Sequence, residues 1–339
     1  MRSLNVAVLG AAGLVGQKIL KILAERDFPV GDLTLMATAR SAGQAFEFRG
    51  RSRTVEEARP DRFDHVDVAF FAATAAASQE LAPEAVKRGA VVIDKSSVFR
   101  MTPGVPLVVP EVNPDALDGH QGIIASPNCS TIQFVMVLAP LCRRRAVRRV
   151  VVSTYQSVSG TGREAVEELT AQSRAVLDGH PVKGEVYPHQ IAFNVLPHID
   201  KFDPEGYTGE ETKMIQETRK IMGLPGLAIT ATTARVPTYV GHAESVNIEF
   251  EDDLGPDEAR RILNSAAGVV VADDPARNGY PLPVDAAGRD EVFVGRIRKD
   301  FSIPHGLNLW IVSDNLRKGA ATNAVQIAET LVARGHLPK

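Results

Sequence analysis

Leu4-Asn5-Val6-Ala7-Val8-Leu9-Gly10-Ala11-Ala12-Gly13-Leu14-Val15-Gly16 runs from an apolar stretch through a glycine-rich turn into a helix. The apolar stretch reads as a strand. Beyond the turn, Ile19, Leu20, Ile22 and Leu23 recur at helical spacing. Glycines at such a junction permit a tight turn. They also let backbone N–H groups approach a pyrophosphate at the positive end of the helix. Placed directly after a first strand, the pattern points to a dinucleotide site, with a plain βα turn as the alternative. The spacing is GxxGxxG rather than GxGxxG, which suits a variant of that fold.

Working outward, Leu33 to Ala37 reads as the second strand. A carboxylate near its end would bind the ribose 2′-hydroxyl of NAD. Thr38-Ala39-Arg40-Ser41 stands there instead, and Arg40 could pair with the 2′-phosphate of NADP. Without the upstream turn, a surface-loop arginine would be the better reading of Arg40. Asp67 to Ala72 and Ala90 to Asp94 are further short strands, with an Ala-rich helical stretch between them. Alternation of strand and helix through about Ala125 predicts a parallel sheet covered on both faces. Lys95 to Arg100 follows a strand end, where such sheets bind ligands. Arg100 is an anion-binding candidate there, or an exposed arginine.

Gly122 to Ala125 reads as a short buried strand, and Ile132, Val135, Leu138 and Leu141 as a helix. Between them lies Ser126-Pro127-Asn128-Cys129-Ser130-Thr131. Ser130 and Thr131 can accept from the first N–H groups of the helix. Cys129 therefore sits at a strand-to-helix turn near a positive helix end. That place favours the thiolate, and its N–H groups could hold an oxyanion. The same chemistry also fits a small buried thiol at a tight turn.

The composition excludes several classes. Of 339 residues, 23% are charged and 44% hydrophobic, as in an ordinary globular protein with room for two domains. The net charge of -3 gives no basic field for nucleic acid. Arg143 to Arg145 with Arg148 and Arg149 reads as cations closing a helix. Cys129 and Cys142 are the only cysteines, which argues against disulfide, zinc or iron–sulfur frameworks and fits a reducing, cytoplasmic setting. The opening strand leaves no room for a cleavable leader, and no apolar run is long enough to span a membrane. No His, Asp or Glu grouping has metal-ligand spacing, so no metal is expected.

After a β-branched strand, Val150 to Gln156, the pattern changes. Val246, Ile248 and Phe250 alternate with Asn247 and Glu249, and Leu307, Leu309 and Ile311 alternate likewise. This predicts a mainly antiparallel sheet with one face packed on helices, hence an α+β second domain. Ser313-Asp314-Asn315 opens a C-terminal helix through Leu331 that should complete the first domain. The expected fold is thus α/β, a Rossmann-like dinucleotide-binding domain plus an α+β catalytic and dimerisation domain. The first domain is expected over 1–129 with 314–339, the second over 130–313. His242 alone fits a structural histidine as well as an acid–base.

The motifs GAAGLVG, TARSAG, SSVFR, SPNCSTIQ, YQSVSGTG, EVYPHQIAFNVLPHID, EETKMIQETRKIM, ARVP, GHAESV and DNLRKGAATNA together identify a family. Over nearly its whole length the chain resembles the aspartate-β-semialdehyde dehydrogenases. The resemblance implies that Cys129 is a nucleophile forming a thioester, His242 the acid–base, and Gln156 the group that orients the substrate. It implies that Arg235 grips the substrate carboxylate with Glu210 near the amino group, that Arg100 and Lys213 bind phosphate, and that Asn128 also contacts substrate. Gly10, Ala12, Gly13, Leu14, Val15, Gly16, Thr38, Arg40, Ser41, Ser159, Gly160 and Asn315 would line an NADP site. A homodimer is implied, built through the second domain. Ala72 to Ser78 departs from the glycine-rich or Ser-Gly turn usual in the family.

The implied reaction is reversible reduction of L-4-aspartyl phosphate to L-aspartate 4-semialdehyde and phosphate. It serves synthesis of lysine (through diaminopimelate), methionine, threonine and isoleucine. The residue types suit it. A thiolate attacks an acyl phosphate and then leaves, an imidazole titrates near neutrality, and arginine forks match phosphate and carboxylate. The close alternative is a related acyl-phosphate reductase, such as one acting on N-acetylglutamyl phosphate.

Overall fold

The computed structural model describes residues 3–337, so the outermost residues of the expected first domain, 1, 2, 338 and 339, lie outside the described residues. The chain divides into two compact units. One runs to Asn128 and resumes at Ala320; the other runs from Cys129 to Gly319.

The first unit begins with β1 (Leu4–Leu9), α1 (Leu14–Glu25), β2 (Val30–Ala37), β3 (Ala45–Phe48) and β4 (Arg51–Glu57). It continues through β5 (Val68–Phe71), α2 (Ala75–Lys87), β6 (Val91–Asp94) and β7 (Ile123–Ala125). These strands form a seven-stranded sheet in the order β3-β4-β2-β1-β5-β6-β7. It is parallel except for the β3–β4 pair. Central strands are apolar on both sides because both sides are covered. Val6, Val8, Ile19, Leu23 and Phe70 belong to one core, and Ala7, Leu9, Phe71, Leu81 and Val92 to the other. The strand order reverses between β1 and β5, the switch point at which such sheets open a ligand crevice. The glycine-rich turn leaves β1 at that point.

The β3–β4 hairpin was not expected from the sequence. In β4 only Val55 is buried, and the strand is otherwise Arg, Ser, Thr and Glu. It adds to the outside of β2, where one inward side chain suffices and no apolar run is needed.

The second unit opens with α3 (Cys129–Cys142), β8 (Val147–Gln156), α4 (Arg163–Leu177), α5 (Gly209–Met222) and β9 (Ala228–Arg235). It then adds β10 (His242–Phe250), α6 (Pro256–Asn264), β11 (Val269–Val271), α7 (Pro283–Ala286), β12 (Val292–Asp300) and β13 (Gly306–Ser313). Its sheet runs β11-β12-β13-β10-β8-β9. The middle is antiparallel, as the alternation predicts, and the two edge strands β11 and β9 are parallel to their neighbours. Val246, Ile248, Phe250, Leu307, Leu309 and Ile311 all point inward. Helix α3 is apolar nearly all round, so it is buried nearly all round, and it packs on β8, β10 and β13. It starts at Cys129 itself, which puts Ser130 and Thr131 inside its first turn rather than ahead of it.

After β13 a π-helical turn, Arg317–Ala321, precedes α8 (Thr322–Arg334). Helix α8 belongs to the first unit, where Ile327, Ala328 and Leu331 join the core under β1 and α1. Among the described residues no helix is long and apolar enough to cross a membrane.

Candidate active site

In the first unit the turn after β1 is set by what a side chain would hit. Gly10 has φ +83°, and a Cβ there would run into the Ala72 carbonyl at the end of β5. A Cβ on Gly16 would run into the Gly10 carbonyl. Glycine inside a helix costs about 1 kcal/mol relative to alanine, so Gly16 is retained for this approach and not for helix formation. Gly10 and Ala11 donate to the Met36 carbonyl over 2.7 and 3.1 Å, which ties the turn to the end of β2. Gly13 caps α1 without a side-chain bond, and no acidic residue stands in the first helical turn. With Ala12, Leu14 and Val15 between these glycines, the turn presents backbone and a positive helix end, as a pyrophosphate requires. The residues fit the dinucleotide that the sequence implies.

Thr38 and Arg40 are exposed and Ser41 is half-buried, in the turn that follows β2. Arg40 has no ion-pair or hydrogen-bond partner among the described residues. The Ala-rich segment instead caps a helix: the Thr74 hydroxyl accepts from the Ala77 N–H over 3.3 Å at the start of α2. Arg100 is not the exposed arginine that the sequence left open. It is 6% exposed, and its guanidinium donates to the Ser126 and Lys95 carbonyls over 3.1 and 2.8 Å. Asn128, next to the cysteine in the chain, is buried.

The second unit holds the remaining candidates. Gln133 lies one helical turn beyond Cys129 in α3 and accepts a 2.6 Å bond from the Ser313 hydroxyl. Ser313 stands directly opposite His242 in the β10–β13 pairing. The first turn of α3, with half-buried Cys129, therefore lies over the strand end from which His242 projects. The approach is close on another side too, since a Cβ at Gly319 would stand 3.1 Å from the Cys129 Cβ. Sequence reading missed this glycine; its one signal was its place in the dense Asp314 to Ala321 motif.

His242 is fully buried, and its Nδ1 accepts from the Ser157 main-chain N–H over 3.0 Å. Arg235, also buried, donates from Nη1 to the Ser157 carbonyl over 2.7 Å. Its Nε is buried with no hydrogen-bond partner among the described residues, a donor set that suits a bound carboxylate. Gly160 lies between the two: a Cβ there would stand 3.1 Å from Arg235 Nη1 and 3.3 Å from His242 Nε2. Bare backbone at this point keeps room beside the guanidinium and the imidazole.

Gln156 is held from both sides. Its Oε1 accepts from the Thr154 hydroxyl and its Nε2 donates to Glu210, both over 3.0 Å. Glu210 stands in the first turn of α5, which a reciprocal Thr208–Glu211 capping box fixes. Lys213 bridges Asp200 and Glu210 at 2.6 and 3.6 Å. Ser159 and Asn315, implied by the family resemblance to line the cofactor site, are buried and bonded to each other over 3.0 Å beside Ser157. Glu244, two residues along β10 from His242, is buried completely. Burial pushes its carboxyl well above the usual carboxylate range, and the Gln133 amide only partly offsets this. Neither oxygen has a hydrogen bond of ordinary geometry among the described residues. Among those residues no three His, Cys, Asp or Glu side chains converge as metal ligands would.

Comparison with known proteins points in one direction. Residues 5–120 match the family model for the semialdehyde dehydrogenase NAD binding domain, and residues 138–318 that for the semialdehyde dehydrogenase dimerisation domain. The aspartate-semialdehyde dehydrogenase of Bacillus subtilis is 53% identical, covering 97% of this chain and 98% of its own. The structure of aspartate semialdehyde dehydrogenase II from Vibrio cholerae complexed with ASA superposes with a TM-score of 0.96 at 43% identity, covering 98% and 99% of the two chains. The Candida albicans aspartate semialdehyde dehydrogenase with NADP gives 0.78 at 25% identity, covering 98% and 99%.

Proposed function

This chain belongs to the aspartate-semialdehyde dehydrogenase family, and from that premise we propose that Cys129 is its nucleophile and His242 its acid–base. It is an oxidoreductase that uses a nicotinamide cofactor and interconverts aspartyl phosphate and aspartate semialdehyde. Relatives of that activity along the whole chain disfavour an N-acetylglutamyl-phosphate reductase. The observation that carries the assignment of residues is the cysteine at the start of α3, laid over the strand end that bears His242.

In the biosynthetic direction the Cys129 thiolate attacks the acyl carbon of aspartyl phosphate. A C–S bond forms, the C–O bond to phosphate breaks, and phosphate leaves. The positive end of α3 stabilises both the thiolate and the developing oxyanion. When bound, the nicotinamide supplies the hydride that reduces the thioester, and accepts it in the reverse direction. His242 holds the proton exchanged with sulfur and with the substrate oxygen. Arg235 fixes the α-carboxylate through the donors beside Gly160. Glu210 receives the ammonium group, and Gln156, locked between Thr154 and Glu210, orients the acyl group. Asn128 contacts the substrate, and Arg100 and Lys213 are assigned to phosphate binding. To the cofactor are assigned Gly10 to Gly16, Thr38, Arg40 and Ser41 of the first unit and Ser159, Gly160 and Asn315 of the second. NADP is preferred over NAD because Arg40 stands where an acidic ribose partner would. The protein acts as a homodimer in the cytoplasm, within synthesis of lysine, methionine, threonine and isoleucine.

The test is phosphate-dependent reduction of NADP with aspartate semialdehyde, paired with mass spectrometry of enzyme quenched with aspartyl phosphate in the absence of NADPH. An acyl adduct on the Cys129 peptide, absent from Cys129→Ala, is the expected result. Full activity in a folded Cys129→Ala protein would falsify the assignment.

A further inference from the structure

Ser157 meets the Nδ1 edge of His242 in two ways. Its main-chain N–H donates to Nδ1 over 3.0 Å, and its hydroxyl lies 3.1 Å from the same nitrogen. The hydroxyl also donates to Asn315 Oδ1 over 3.1 Å, with Ser159 Oγ 3.2 Å away. Asn315 Oδ1 is fixed in turn by the Gly241 N–H at 2.9 Å. All of these side chains are buried.

A neutral imidazole carries one proton. With that proton on Nε2, Nδ1 offers a lone pair, and the Ser157 N–H satisfies it. With the proton on Nδ1, or with both nitrogens protonated, Nδ1–H needs an acceptor. In that state Nδ1 can no longer accept from the Ser157 N–H, and the Ser157 oxygen beside it is the acceptor, because its own proton is directed to Asn315. A main-chain N–H alone would hold the ring with hydrogen on Nε2, a form unable to take a proton from a thiol.

We infer that Ser157 is a positioning residue whose hydroxyl, relayed to Asn315, lets His242 carry a proton on Nδ1 and so present a basic Nε2 to Cys129. This rests on the roles proposed above for Cys129 and His242. In the base step the S–H bond of Cys129 breaks and an Nε2–H bond forms. The products are a thiolate and an imidazolium whose Nδ1–H donates to Ser157 Oγ. In the reverse step the Nε2–H bond breaks and the proton returns to sulfur. Charged or titratable groups on the elements packed around His242 include Cys129 of α3, Tyr155 of β8, Arg235 of β9, Glu244 of β10 and Glu210 of α5. Asp314, Arg317 and Lys318 follow β13. Replacing Ser157 leaves all of these in place, and the main-chain N–H with them.

The experiment is the pH profile of kcat and KM for Ser157→Ala, Ser157→Thr and His242→Ala in the holoenzyme, with melting temperature as the control for folding. Ser157→Ala is expected to fold, keep KM, lose about tenfold in kcat, and move the ascending limb of the profile about one unit to lower pH, because the imidazolium loses a hydrogen bond to a charged donor. Ser157→Thr retains hydroxyl and N–H and should restore both. Nitrogen NMR of the imidazole should show the Nε2–H form enriched in Ser157→Ala. An unmoved profile in a folded Ser157→Ala overturns the inference, as does equal damage in Ser157→Thr with unchanged ring shifts. If His242→Ala keeps full kcat, the parent assignment fails; if it is slow while Ser157→Ala behaves as the parent, only the role of Ser157 fails.

Discussion

Glu244 shows how one residue can bear on stability without touching substrate. The folded chain holds a proton on its carboxyl that the unfolded chain releases once the pH passes the ordinary value of 4.5. The folded value is raised, so the folded state binds more protons above that point. Stability from this group is complete at acid pH and declines as the pH rises toward the folded value. Gln has the shape of the protonated acid and no charge to bury. Glu244→Gln should therefore be more stable than the parent near neutrality, with the gain shrinking toward about pH 4. Urea melts across that range check this, and parallel curves for the two proteins would sink it. Burial likewise pushes the Cys142 thiol up, to about 12.

At the scale of elements, two turns carry predictions. Gly319 sits in the π-helical turn after β13, and its α-carbon faces Cys129. Ala at 319 would bring its Cβ to 3.1 Å from the cysteine Cβ, so one of them must shift by a few tenths of an ångström. Gly319→Ala should lower kcat about tenfold through the displaced sulfur, with NADP affinity kept. Equal kcat in steady-state assays would show that the turn yields freely. The turn after β2 decides the cofactor. Removing the charge in Arg40→Ala should cost roughly 1.5–3 kcal/mol in NADP binding, tenfold or more, while NAD binding stays. Titrations with both dinucleotides read it, and an unchanged ratio counts against the 2′-phosphate contact. Elements such as β1, α1 and β10 were legible because their apolar periods are local. The β3–β4 hairpin was not, since only Val55 is buried in β4 and nothing in Arg51–Glu57 repeats strongly. The parallel edge strands were equally hidden, because strand direction is a property of the pairing and not of the strand.

At the scale of the whole molecule, the candidate site was legible as residue types and not as connections. Ser157 meets His242 across 85 positions and Asn315 across 158. No local period encodes such distances, so the network around Nδ1 emerged only from the fold. The burial of Arg100 was hidden for the same reason, since Ser126 lies 26 positions on. Assembly is a third property of this scale. The sheet face of the second unit turned away from α3 leaves Tyr155 exposed, its ring centred 5.5 Å from that of Trp310. Residues 138–318 of this unit match a dimerisation domain. Tyr155→Asp is expected to shift sedimentation from dimer toward monomer, and a dimer that persists at micromolar concentration would place the interface elsewhere.

Over the pH range in which the buried carboxyl of Glu244 holds its proton, it is also a built-in spectroscopic label. A protonated acid kept from water has a carbonyl stretch that stands clear of the amide and carboxylate bands of the rest of the chain. It lies beneath the first turns of α3, beside Gln133, where the field changes each time a charge appears on or leaves the sulfur. Difference infrared spectra of the unlabelled enzyme, with Glu244→Gln as the blank, should therefore record the making and breaking of the thioester as a frequency shift of a single native oscillator.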